Sequence, residues 1–532
     1  MTGNLPPPAA ELFEEFPALK QAKITVEVED SRRVRYHETA RRLTEEKYLL
    51  SVADGGIRVV CSGEKSAFYA LCDLARRLTD GGLAAGEYEC APAFAVRGYI
   101  EGFYGRPWTA RQRRTVLARA AKRRMNTVYY APKDDPYHRE KWREPYPARD
   151  LAALEELVGE AKKYFMDFYW CVAPGLSVRY GDDGDFDALM RKTAQLYEIG
   201  VRRFGLLLDD IGEELTDPGD RARFGETVNA QIFFINRYSD ALRAVDADLR
   251  LTVCPTLYHG RGDEYYISKL GREIPADASV FWTGRDICSR ELTEFEALKF
   301  IENTRHKPLY WDNYPVNDMA MRNEMHLGPL IGRGPELWKY SEGLICNCME
   351  YAECSCIPLY TAADYLWEGA GYDPEKSWAR AIRETVGAEN APAFAVFADH
   401  LRSSCLMDEN SKQMIRRFVG VAALFDAGET EAALARAEEY VGEMRRGGEF
   451  LARDLPICRE LTKWSAKYAA ARDLLETLLS VLRGGGTVEA LAAKTAAYDA
   501  IPARLGDDAD LRVWAENRFR AQSSEGKIYA SD

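Results

Sequence analysis

The sequence predicts an α/β protein: a central (β/α)8 TIM barrel flanked by a small N-terminal α/β domain and a C-terminal α-helical bundle. Three observations carry this. Eight apolar, strand-like runs alternate with helix-like stretches through residues 93–371, and strands that are hydrophobic along their whole length and joined by helices belong to a parallel sheet covered on both faces. The turn after the first run reads EGFYGRPW, without the GxGxxG phosphate turn usual in doubly wound open sheets. Beyond Gly371 the strand signals stop, and Ala-, Glu-, Leu- and Arg-rich segments take over.

The expected domains are 1–92, 93–371 and 372–532. In the first, KITVEVED and GIRVVCS read as strands, and SAFYALCDLARRL as an amphipathic helix ended by Asp-Gly-Gly. The barrel strands are expected in VRGYIEGFYG, NTVYYAPK, DFYWCVAPG, RFGLLLDDI, LRLTVCPTLYHG, SVFWTGRDI, KPLYWDNYPV and EGLICNCMEY, with helices such as ARQRRTVLARAAKRR and DLAALEELVGEAKKYF between them. Eight such units match the usual size of a (β/α)8 barrel. In the third domain, ETEAALARAEEYVGEMRR and WSAKYAAARDLLETLLSVLR combine good helix formers with apolar spacing near 3.6.

A chain of 532 residues, 46% hydrophobic and 29% charged, is large enough for two to four globular domains. Its formal charge of −13 disfavours a nucleic-acid partner, which calls for a basic stripe. MTGNLPPPAAELFEEF lacks the basic and apolar regions of a signal peptide, and no run is long enough to cross a bilayer, so a cytoplasmic location without a membrane partner is expected, with secretion left open as the alternative. The twelve cysteines should then stay reduced. Cys346, Cys348, Cys354 and Cys356 cluster, but C-x-C on a strand is not the usual zinc spacing, and packing thiols are favoured over a metal site.

In a barrel, functional groups stand where strands end. Here those positions read EGFYG, PKDD, LDDIGEE, PTLYHG, WTGRD, WDNYPVND and CNCME, crowded with carboxylates, amides and aromatics. Of six histidines, only His259 and His138 fall on that rim, and neither a serine elbow nor HExxH is present. Such a face suits a sugar: rings pack on pyranose C–H faces while carboxylates and amides take the hydroxyls. Asp209-Asp210 directly follows FGLLL, which allows one carboxyl to stay ionised while the other carries a proton. Adjacent aspartates also occur at Asp134-Asp135, Asp182-Asp183 and Asp507-Asp508, and such pairs commonly cap helices or sit in solvated turns. Position alone leaves both readings open.

Taken in order, RGYIEGFYGRPW, NTVYYAPKDDPYHREKWREPYP, LLLDDI, CPTLY and WDNYPVND closely resemble glycoside hydrolase family 84. That family includes bacterial β-N-acetylglucosaminidases and the animal enzyme that removes O-linked GlcNAc from proteins. The resemblance implies retaining hydrolysis of terminal β-linked GlcNAc, in which the sugar's own 2-acetamido oxygen attacks the anomeric carbon. This is one of the exceptions to the two-carboxylate retaining scheme. By motif, Asp209 would orient the acetamido group and stabilise the oxazoline intermediate, and Asp210 would be the general acid, then base. Tyr258 would bond the acetamido group, and Trp311 and Cys254 would wall the acetyl methyl. Gly102, Lys133, Asn313, Asp318 and Asn347 would hold hydroxyls, with Tyr104 also in the pocket. At Asn347 this chain reads CNCME where the family shows Asn-Pro.

The resemblance implies no metal and no cofactor, and a GlcNAc-containing glycan or glycoprotein as partner; the oligomeric state is left open. Burial beside a second carboxylate predicts a raised pKa for Asp210. Two other classes compete. A non-catalytic carbohydrate-binding barrel would lack one of the two aspartates. A metal-dependent hydrolase would need a histidine-rich rim.

Overall fold

The computed structural model describes residues 6–28, 45–53, 55–402, 404 and 411–506. Its contacts divide the chain into two units. One comprises 1–313, 333–347 and 362–372; the other comprises 314–332, 348–361 and 373–532.

The first unit opens with four strands, β1 (Ile24–Val28), β2 (Tyr48–Ala53), β3 (Gly56–Cys61) and β4 (Gly86–Cys90), in the order β1-β3-β2-β4. β1 runs parallel to β3, and β2 is antiparallel to both β3 and β4. The helix Glu64–Thr79 packs on this sheet and buries Phe68, Leu71 and Leu74. β1 and β3 fall in KITVEVED and GIRVVCS, although Glu29 and Asp30 lie outside the described residues. β2 and β4 were not expected. β4 is mostly exposed and lacks alternation, and β2 alternates clearly only over its first three residues.

Eight further strands close a parallel barrel in chain order: β5 (Val96–Glu101), β6 (Thr127–Tyr130), β7 (Asp167–Val172), β8 (Arg203–Leu207), β9 (Arg250–Cys254), β10 (Ser279–Trp282), β11 (Pro308–Asp312) and β12 (Gly343–Asn347). Each lies within one of the eight apolar runs read from the sequence. The barrel is filled, as such barrels are. Ile100, Tyr129, Cys171, Leu207, Cys254, Phe281, Leu309, Trp311 and Ile345 form one buried cluster. Within it Tyr129 stacks on Tyr169, and Phe281 meets Trp311 edge-on.

The second unit is helical. Its longest members, Thr430–Leu451 and Thr462–Leu482, pack together and bury Leu434, Tyr440, Met444, Trp464, Tyr468 and Leu475. The segment 314–332 belongs here, and the Trp464 indole N–H donates to the Asn323 carbonyl. Asp507 and Asp508 lie outside the described residues. Among the described residues no helix is long and apolar enough to cross a membrane, and every cysteine is a free thiol.

Candidate active site

The site is built on the ends of β5, β6, β8, β9, β11 and β12. After β8, Leu208 extends the ladder by one bond to the Cys254 carbonyl, and Asp209 follows with its side chain 8% exposed. The chain then turns at Asp210, whose φ of 54° lies in the left-handed region that non-glycine residues seldom occupy. This turn sends the two neighbouring carboxyls into different surroundings. Asp210 is the more open, with its side chain 31% exposed.

Lys133, three residues beyond β6, stands between them, with its ammonium 3.1 Å from Asp209 Oδ2 and 3.4 Å from Asp210 Oδ2. It also lies 5.1 Å from the centre of the Tyr104 ring. The Tyr104 hydroxyl donates to Asp210 Oδ2 at 2.6 Å, and the Tyr258 hydroxyl reaches Oδ1 at 3.3 Å. Burial acts to raise the Asp210 pKa. The Lys133 charge, hydrogen bonds from Tyr104 and Lys133, and the Arg139 charge together outweigh it and hold the carboxyl below its ordinary value. The expected raised pKa is therefore not found in the unliganded site: the sequence showed the neighbouring carboxylate but not the cation between the pair.

Asp209 Oδ1 is different. It is buried and has no hydrogen-bond partner, an uncommon condition for an acceptor that has lost its water. Asn347 Oδ1 is likewise buried and unpartnered. Asn347 Nδ2 donates to Asn313 Oδ1 at 3.0 Å, the Trp311 indole N–H donates to the same oxygen at 2.9 Å, and Asn313 Nδ2 is held by the Ile287 carbonyl. Asn347 thus joins Trp311 and Asn313 despite its altered sequence context.

Gly102 lies close against the indole. A β-carbon there would stand 2.7 Å from Trp311 Cζ2 and 3.3 Å from Asn347 Oδ1. Gly102→Ala is expected to lower kcat/KM for any ligand turned over here by about tenfold to a hundredfold, through displacement of Trp311. Unchanged kinetics in the folded variant would show that the indole's position is not critical.

Cys254 ends β9 fully buried, and burial pushes its thiol well above the usual range, which leaves it a wall rather than a nucleophile. Tyr258 packs on the same cluster. Asp318 lies on the segment 314–332 of the other unit, at the start of the short turn Met319–Met321.

Other rim carboxylates are already engaged. Glu101 accepts two bonds from Arg113 and one from the Trp108 N–H. Asp312 pairs bidentately with Arg333. Asp135 takes the Tyr130 and Tyr146 hydroxyls and the Tyr137 N–H. These residues shape the loops. His138, expected on the rim, is fully buried: its Nδ1 bonds the Cys171 carbonyl, and burial lowers its pKa to about 4. Among the described residues no group of three or more His, Cys, Asp or Glu is arranged to hold a metal ion. One rim residue was not singled out from the sequence. Arg139, within the motif that supplies Lys133, donates to the Tyr104 hydroxyl at 2.9 Å.

Comparison with known proteins identifies the family. A family model described as beta-N-acetylglucosaminidase matches residues 97–399. The Protein O-GlcNAcases of Rattus norvegicus and Mus musculus are each 31% identical over 274 residues, which is 50% of this chain and 29% of theirs. The match therefore spans less than a third of those relatives. A mutant of the Thermobaculum terrenum O-GlcNAc hydrolase superposes with a TM-score of 0.75 at 30% identity, covering 82% of this chain and 98% of that one. CpGH84B shares the fold, with a TM-score of 0.80 at 24% identity over 97% of this chain and 95% of its own. With more than half of its length matched by the family model, and with the barrel and rim motifs already described, this chain belongs to the β-N-acetylglucosaminidase family, glycoside hydrolase family 84.

Proposed function

We propose that this protein is a retaining exo-β-N-acetylglucosaminidase, removing terminal β-linked GlcNAc by substrate-assisted catalysis through an oxazoline. The observation that carries the reading is the unpartnered Oδ1 of Asp209, a buried carboxylate oxygen whose twin is already paired with Lys133. A carboxylate so placed lacks a donor, and the 2-acetamido N–H is one. Drawing on that N–H makes the acetamido oxygen more nucleophilic and offsets the positive charge that develops as it attacks C1. The glycosidic bond breaks with its electron pair on the leaving oxygen, which takes a proton from Asp210. Asp210, now ionised, accepts a proton from the water that opens the oxazoline.

Tyr258 holds the acetamido group, and Trp311 with Cys254 encloses its methyl. Gly102, Lys133, Asn313 and Asn347 bind the hydroxyls, and Tyr104 steadies Asp210. The names of the relatives, Protein O-GlcNAcase and O-GlcNAc hydrolase, support a Ser- or Thr-linked protein aglycone.

The lowered pKa of Asp210 fits an acid that is armed by its substrate. A bound sugar excludes water and draws Lys133 toward a hydroxyl, and both changes raise the carboxyl pKa. Because kcat/KM reports the free protein and kcat the complex, the descending basic limb of kcat/KM is expected at lower pH than that of kcat. Coincident limbs would show that binding does not reset Asp210.

The decisive assay compares 4-nitrophenyl β-N-acetylglucosaminide with the matching β-glucoside, with chelator present throughout. Cleavage of the acetamido sugar alone supports the reading. Cleavage of neither by the folded protein would favour a carbohydrate-binding barrel, and loss of activity to the chelator would overturn metal-free catalysis.

A further inference from the structure

Arg139 lies six residues beyond Lys133 on the same loop. Its Nη1 donates to the Tyr104 oxygen at 2.9 Å, and its Nη2 reaches the backbone oxygen of Asp210 at 3.4 Å. Tyr104 in turn donates to Asp210 Oδ2 at 2.6 Å, the oxygen that Lys133 also approaches. A guanidinium has no acceptor and does not lose its proton. The Tyr104 oxygen is thus occupied by a group that can only donate, and the cation makes the phenol a better donor and a poorer acceptor. Its single hydrogen is committed to Oδ2.

The two oxygens of Asp210 are therefore unequal. Oδ2 faces two donors and is a poor seat for a proton. Oδ1 faces only the Tyr258 hydroxyl, at 3.3 Å among the described residues. At that length the contact is a weaker hold than the 2.6 Å bond on Oδ2. The contact to the Asp210 carbonyl also helps to hold the left-handed turn that aims the carboxyl.

We propose that Arg139 is a positioning residue that, through Tyr104, confines the proton of Asp210 to Oδ1. The inference rests on the acid/base role given to Asp210 above. In the forward step the Oδ1–H bond breaks and the proton passes to the leaving oxygen, while Oδ2 keeps its donors throughout. In hydrolysis the proton of the attacking water returns to Oδ1. Without Arg139, the Tyr104 oxygen loses a cationic donor and becomes a better acceptor for a protonated Oδ2, which points the acid at a phenol instead of the substrate.

The test uses the whole chain with Arg139→Met, Tyr104→Phe and the double variant, on a seryl-peptide glycoside and a dinitrophenyl glycoside. Arg139→Met is expected to lose roughly tenfold to a hundredfold in kcat/KM on the seryl glycoside and less than about threefold on the dinitrophenyl one, which needs little protonation. Asp210 is faced by Lys133, Arg139, Tyr104, Tyr258 and Asp209. Removing Arg139 deletes an influence that lowers its pKa, so the basic limb of kcat/KM should move up even as the rate falls. Better-supplied acid with slower transfer separates misdirection from simple loss of fold. The double variant should be no slower than the worse single one, because Arg139 acts through Tyr104. Equal loss on both substrates, an unmoved limb or additive losses would each overturn the proposal. Should Arg139→Met fail to fold, Tyr104→Phe carries the same substrate and limb expectations. A wild-type protein that cleaves neither substrate removes the acid/base role itself and this inference with it.

Discussion

Replacing Asp209 by Asn is expected to lower kcat/KM about a hundredfold to ten-thousandfold on every β-N-acetylglucosaminide, whatever its leaving group. The buried Oδ1 of Asp209 has no donor in the unliganded protein, and Oδ2 is held by Lys133. An amide in its place keeps the shape but removes the charge that would offset the developing oxazolinium. That charge is needed before the leaving group's basicity matters, so an acidic phenol cannot restore the rate. Measuring kcat/KM along a series of aryl glycosides tests this. A variant that recovers as the phenol becomes more acidic would place Asp209 in proton transfer.

Asp210→Asn should behave in the opposite way. Loss of about a hundredfold to ten-thousandfold is expected on seryl and other alkyl glycosides, because an alkoxide leaves poorly without a proton. Dinitrophenyl glycosides should recover most of the first step. The second step then limits, since the same carboxylate is lost as base, and a burst of phenol should precede a slow steady state. Azide, which attacks without needing a base, should speed that steady state and yield a β-glycosyl azide. Equal losses for the two variants across all leaving groups would abolish the division of labour between the aspartates.

The barrel was legible because each of its eight strands is apolar along nearly its whole length and buried on both faces, a pattern that survives without knowledge of partners. The smaller sheet was only half legible. β4 has one buried residue in five, so neither alternation nor hydrophobicity marks it. Residues at the strand ends were also legible, since topology alone sends them to one face.

Their sorting was not. Glu101, Asp135 and Asp312 look like Asp209 and Asp210 in the sequence. Arg113, Tyr146 and Arg333, the groups that engage the first three, stand 12, 11 and 21 positions away. The direction of the Asp210 shift was missed for the same reason: Lys133 and Tyr104 lie 77 and 106 positions upstream. Charge balance in a pocket is a property of the closed barrel, and no local window contains it.

The fastening of the loop after β6 has a thermodynamic consequence. Asp135 gathers two tyrosine hydroxyls and a backbone N–H, and His138 ties its ring and carbonyl to the end of β7. A ligand that engages Lys133 therefore meets side chains whose rotational freedom was surrendered during folding. Little ordering is left to oppose association, so a rigid oxazoline mimic should bind with favourable enthalpy and a small entropic penalty. Loosening the loop, as by Asp135→Ala, should cost affinity mainly through entropy.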